Sequence, residues 1–160
     1  MNFERMHGFF CICFSLAMFI AMPVFLSAQA ADEIEMLLNT ESLSYEQAAR
    51  FVLEAADEAA LSSPAEAFRY AVERKWLPKN AAPDAQARLD GISLLIMRTF
   101  DIKGGLFYSL AKNPHYAYRE MVHQNVILGR ADPGMAVSGD TLLFMVGRIL
   151  SGREDALEDL

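Results

Sequence analysis

The chain has 160 residues, a net charge of −7, 53% hydrophobic residues and two cysteines. That acidity, with no stripe of Lys and Arg to neutralise phosphates, argues against nucleic acid as a partner. The lack of a polybasic segment likewise makes a membrane surface a poor partner, and the length suits one domain with a modest core.

Residues 1–30 differ from the rest. Arg5 forms a short basic start, an apolar run follows from Gly8 to Met22, and Pro23 precedes a small-residue end at Ala28-Gln29-Ala30. That pattern predicts a secretory signal cleaved after Ala30, leaving 31–160 as the mature chain, exported to the periplasm or cell surface. An uncleaved anchor is the alternative, since Gly8 to Leu26 is about long enough to span a bilayer. Cys11 and Cys13 both lie in the apolar run and neither follows a lipobox, so the mature chain is expected to hold no disulfide and no thiolate metal site.

Beyond the signal, residues 32–66 hold nine acids against Arg50 alone. Ile34, Leu37 and Leu38 predict a short amphipathic helix. A firmer helix is expected over 43–57, where Ser44 and Gln47 form a capping box and Ala48, Phe51, Val52 and Ala55 recur at helical spacing. Ser63 caps the next, with Pro64 at its first position and Phe68, Ala71 and Val72 turned inward; it should end near Lys75, before Trp76-Leu77-Pro78. A loop over 79–84 leads to a helix that starts between Ala85 and Leu89 and closes at Phe100.

Gly104-Gly105 interrupts the chain, 106–111 offers one helical turn, and Asn113-Pro114 opens a helix that ends at Gln124 or Asn125. A loop containing Gly129 and Gly134 follows, and Ser138 caps a closing helix with Asp140 in its first turn. Residues 151–160 are an acidic tail expected to fray.

Sliding 114–150 back by fifty positions lays it on 64–100 without a gap. The identities are Pro64/Pro114, Ala67/Ala117, Arg69/Arg119, Val72/Val122, Ala81/Ala131, Pro83/Pro133, Asp90/Asp140 and Arg98/Arg148. A fixed period with matching punctuation predicts an all-α repeat protein of helix-loop-helix units, in which no unit buries its apolar face alone.

The order of these elements resembles the S-layer homology repeat. Tyr116-Ala117 matches its aromatic-Ala start, Ile127-Leu128-Gly129 its Gly-Ile centre, Asp132-Pro133-Gly134 its Asp-Gly turn and Val137-Ser138 its Leu-Thr; Phe68, Leu77, Pro83 and Arg98 hold corresponding places in the earlier copy. Leu43-Ser44-Tyr45-Glu46-Gln47-Ala48-Ala49 resembles a third opening, giving a partial unit at 43–57 before two full ones at 64–100 and 114–150. In that family three repeats commonly close around a pseudo-threefold axis, and the resemblance leaves open whether the partial unit completes such an arrangement here. In that family the Arg of Thr-Arg-Ala-Glu helps bind an anionic cell-wall polysaccharide, but this chain has Tyr45, Leu89 and Gly139 there, and Gln47, Gly91 and Thr141 at the Glu position.

Catalysis is not indicated. His115 and His123 lack a third ligand nearby in sequence, Ser109, Ser138 and Asp140 form no nucleophile elbow, and Gly104-Gly105 lacks the Lys-Ser/Thr of a phosphate loop. Acid pairs such as Glu33/Glu35 read as a solvated face. The expectation is therefore a non-enzymatic envelope module, without a cofactor, that binds cell-wall glycan or peptidoglycan through Arg69, Trp76, Tyr118 and Arg119. The alternative is a periplasmic subunit that docks on another envelope protein through an apolar patch. The recurring charges predict that Arg69 and Arg119 each bridge the Asp of their own unit, Asp90 and Asp140.

Overall fold

A computed structural model of the chain describes residues 32–58, 63–129 and 131–158; the signal reading of residues 1–30 lies outside the described residues. All regular elements among them are helices: α1 (residues 32–38), α2 (Tyr45–Ala55), α3 (Pro64–Glu73), α4 (Leu89–Thr99), α5 (Leu106–Leu110), α6 (Pro114–His123) and α7 (Gly139–Glu158). The chain divides at Leu37/Leu38 into two units. The described part of the first is the body of α1, in which Ile34 is exposed. Everything below concerns the second.

Starts and stops follow local chemistry. At α2 the Ser44 side chain takes the Gln47 amide while the Gln47 side chain takes the Ser44 amide, so two otherwise orphaned donors are satisfied reciprocally. Helices α3 and α6 both open with Pro, whose missing N–H costs nothing there, and are capped by Ser63 and Asn113. Four helices end alike. Asp57, Lys75, Asp101 and Asn125 each take a left-handed conformation just past α2, α3, α4 and α6. The next amide then reaches back into the last turn: Glu58 to Leu53, Trp76 to Ala71, Ile102 to Met97 and Val126 to Met121, at 2.9 to 3.1 Å.

The centre of the unit is a closed cycle of backbone hydrogen bonds. Leu43 N–H donates to the Val137 carbonyl at 2.9 Å, Val137 N–H to Ala87 at 2.9 Å, and Ala87 N–H to Leu43 at 2.8 Å. Each residue lies two positions before the first residue of α2, α4 or α7, and all three are buried. The fourth residues of those helices, Ala48, Ile92 and Leu142, are buried as well, the pairing of a hydrophobic staple.

The next donors repeat the arrangement. Tyr45 and Glu46 amides at the start of α2 go to the Ala85 and Pro83 carbonyls; Leu89 and Asp90 amides at the start of α4 go to Met135 and Pro133. At α7 the Gly139 amide goes to Thr40, in the linker 39–42 after α1, which is much shorter than the loops at 74–86 and 124–136. Around this cycle α2 packs on α3, α4 and α7, while α4 packs on α6 and α6 carries α5. Helix α4 is the most enclosed: of its eleven residues only Asp90 and Arg98 keep appreciable exposure. Its apolar residues run around nearly the whole circumference, as a helix packed on several sides requires.

Some sequence expectations are corrected. The closing helix does not end at Leu150 but continues to Glu158. Helix formers fill 153–158, and Arg153 anchors the extension by donating to the Phe100 carbonyl at 2.7 Å with its guanidinium over the Phe100 ring. Leu77 and Ile127 are buried, but Trp76 is half-buried and Leu128 is exposed; Val126 takes the inward place beside Ile127. Val72 faces solvent, because Ala67 and Ala71 alone fill the narrow contact of α3 with α2.

Candidate functional site

The four residues expected to bind ligand fall into two groups on helices with different neighbours. Arg69 and Trp76 belong to α3 and its terminal turn, against α2; Tyr118 and Arg119 belong to α6, against α4 and α5. Arg69 and Arg119 are exposed, and among the described residues neither forms the predicted bridge. Both aspartates are engaged at their own helix starts. Asp90 pairs with Arg88 at 3.2 Å and accepts the Gly91 amide at 2.8 Å. Asp140 accepts the Ser138 hydroxyl, and that bond, ahead of the Thr141 amide, holds its carboxyl below the usual range. The recurrence of Asp is thus explained by the second position of a helix, where a carboxylate meets free amides.

Tyr118 is committed internally. Its hydroxyl donates to the Ala131 carbonyl and ties α6 to the loop ahead of α7. Trp76 belongs to a cluster that sequence spacing only half revealed. Tyr70 and Trp76 meet edge to face at 5.9 Å, the Arg74 guanidinium lies 3.4 Å above the Tyr70 ring and 5.8 Å from that of Trp76, and the Tyr70 hydroxyl donates to Glu58 at 3.2 Å. Tyr70 and Arg74 are four apart, one turn on, and that spacing is the signal that could have joined those two; Trp76 lies past the left-handed Lys75, and no helical spacing links it to them.

Fifty residues on, Glu120, Gln124 and Val126 occupy the same places and do something else. Glu120 accepts the Gly105 amide at 2.9 Å, and Gln124 donates to the Lys103 carbonyl at 3.1 Å, so that the polar pair holds the base of α5. Only Tyr108 of α5 is buried, whereas Leu106, Phe107 and Leu110 are 80%, 68% and 86% exposed. Phe107 stacks on Tyr116 at 6.0 Å and His115 meets Tyr116 edge-on at 5.4 Å. The aromatic cluster of Phe107, His115 and Tyr116 is therefore largely a surface feature, because α5 is too short to cover its own apolar face.

The positions that match the anion-binding Arg of S-layer homology repeats are all turned inward: Tyr45, Leu89 and Gly139 are buried. Tyr45 fills the seam between α2 and α4, its hydroxyl accepting the Arg88 amide at 3.4 Å, and burial raises its pKa above the ordinary tyrosine value. A Cβ at Gly91 would lie 2.4 Å from the Tyr45 hydroxyl and 3.0 Å from Pro78. Tyr45 and Gly91 thus form a matched pair that leaves no room for an Arg and a Glu.

A search of protein-family models, curated proteins and solved structures finds no match to this chain.

Proposed function

We propose that this chain is a non-catalytic, exported binding module of two full and one partial S-layer-homology-like units that holds a cell-wall glycan or peptidoglycan at the end of α3. Support for the three-unit arrangement comes from the hydrogen-bond cycle of Leu43, Ala87 and Val137 and from the matching donors that follow at α2 and α4. The ligand reading is carried by one observation, the Tyr70–Arg74–Trp76 cluster with Glu58 at its edge. Sugar rings pack on aromatic faces and edges while their hydroxyls bond charged groups alongside, and a half-buried Trp beside a guanidinium and a carboxylate supplies both. Arg69 precedes Tyr70 on α3 and is exposed. With the family's Arg positions filled by Tyr45, Leu89 and Gly139, recognition belongs to this cluster and not to the seams between units.

The test is co-sedimentation with purified peptidoglycan sacculi of the native chain, Arg74→Ala, Trp76→Ala and Arg69→Ala. Loss of binding in the first two variants with unchanged melting supports the reading; equal binding by all four removes it. A second reading, a subunit that docks on an envelope protein, is favoured by the exposure of Leu128 and Met135 on the 124–136 loop and of Phe144 on α7. Crosslinking in the envelope fraction distinguishes it, since Leu128→Ser and Phe144→Ser would then remove a specific adduct and leave sacculus binding intact.

A further inference from the structure

Helix α5 combines three properties that no other described segment shares. Leu106, Phe107 and Leu110 stand almost uncovered, while Tyr108 beneath them is 4% exposed, so the apolar side chains form a convex knob rather than a groove. The knob is firmly based: Glu120 holds the Gly105 amide, Gln124 holds the Lys103 carbonyl, and the Ser109 hydroxyl closes on the Gly104 carbonyl at 3.2 Å. Its setting is also basic within an acidic chain. Lys103, Lys112, Arg119 and His115 around it are all exposed, while Asp101 and Glu120 lie at its base, Glu120 engaged by the Gly105 amide, so the local balance is mildly positive against a net charge of −7 for the whole.

The three side chains offer on the order of 400 Å² of apolar surface, enough to mark a contact surface yet about half of what each partner contributes to a standard protein interface. A second copy of the chain would gain too little area from this knob alone to stay paired. The sequence has no polybasic segment to draw it to a membrane, yet an apolar wedge adds to what a few lysines supply, because binding there scales with apolar area plus charge and acyl chains deform around Leu and Phe while lysines beside them meet anionic headgroups. No described helix is long and apolar enough to cross a membrane, so the contact would be peripheral.

We propose that α5 is a lipid-contacting wedge that seats the module on an anionic membrane surface, Leu106, Phe107 and Leu110 entering the headgroup boundary and Lys103 and Lys112 pairing with lipid phosphates. This goes beyond glycan binding and involves a different face, so either can fail alone. The full chain carries an apolar N-terminal run of its own, so the readout must be local. A Phe107→Trp reporter in a Trp76→Phe background is mixed with vesicles of phosphatidylglycerol and phosphatidylethanolamine, with or without brominated acyl chains, and with phosphatidylcholine vesicles.

The expected result is a blue-shifted emission quenched by the brominated chains on anionic vesicles, with little change on phosphatidylcholine. Adding Lys103→Glu and Lys112→Glu should lower the vesicle partition coefficient by at least about thirtyfold, and Leu106→Ser with Leu110→Ser should abolish the quenching while far-ultraviolet dichroism stays native. A reporter that remains in water on anionic vesicles overturns the proposal. So does a blue shift that grows with protein concentration without vesicles, which would assign the knob to self-association.

Discussion

Lys75 shows how single residues set the ends of these helices. It stands in the left-handed region at φ 59° just past α3, its amide bonding Val72 and the following amide bonding Ala71. A side chain makes that conformation costly, and its exposure means that little is lost when it is removed. Lys75→Gly is expected to stabilise the fold by about 0.5–1 kcal/mol, the relief of strain outweighing the extra chain entropy of glycine. Chemical denaturation checks this; a lower midpoint would mean that the lysine makes a contact that matters. Gly91 poses the opposite case. Alanine is the better helix former, yet its Cβ would meet the Tyr45 ring and Pro78, so Gly91→Ala should cost about 1–3 kcal/mol through overpacking. In a Tyr45→Phe background that cost should shrink, since the closest contact is the hydroxyl.

The capped, periodic helices were the legible part of the fold. Ser44 with Gln47, Ser63 with Pro64 and Asn113 with Pro114 carry their own start signals, and the structure places α2, α3 and α6 at them. The four left-handed stops were not legible, because Asp57, Lys75, Asp101 and Asn125 stand where glycine is the usual marker. The candidate site was half legible for a related reason. Trp76 stood out as the sole tryptophan, but its partners Tyr70 and Arg74 did not recur at the fifty-residue offset, and attention to recurring residues favoured Arg69 and Arg119. The exposure of α5 was invisible, since an apolar stretch in sequence reads as core until the neighbours that would cover it are known.

Seams between helices carry the alkaline pH dependence. Tyr45 between α2 and α4, and Tyr108 beneath α5, both have raised pKa values, each chiefly through burial away from water. A group whose folded pKa lies above its unfolded one contributes stability that is fully present below the unfolded value, about 10 for tyrosine, and lost as pH rises through the folded value. Melting temperature should therefore be insensitive to these two groups through neutral pH and fall above about pH 10. Tyr45→Phe and Tyr108→Phe should each flatten that alkaline fall, and a slope identical to the native chain would place the titrating group elsewhere.

Across the whole molecule, the backbone cycle joins segments more than forty residues apart in sequence: Leu43 to Ala87, Ala87 to Val137, and Val137 back to Leu43. Each bond alone contributes only about 0.5–1.5 kcal/mol, but closure makes the starts of α2, α4 and α7 one structural element. Opening any of them exposes the buried residues behind all three. The three amides should then share one fate. Native-state hydrogen exchange measures this directly: the amides of Leu43, Ala87 and Val137 are expected to exchange together, only through global unfolding and with the same dependence on denaturant. Exchange of any one of them by a separate, lower-energy opening while the other two stay protected would contradict a fold closed around this cycle.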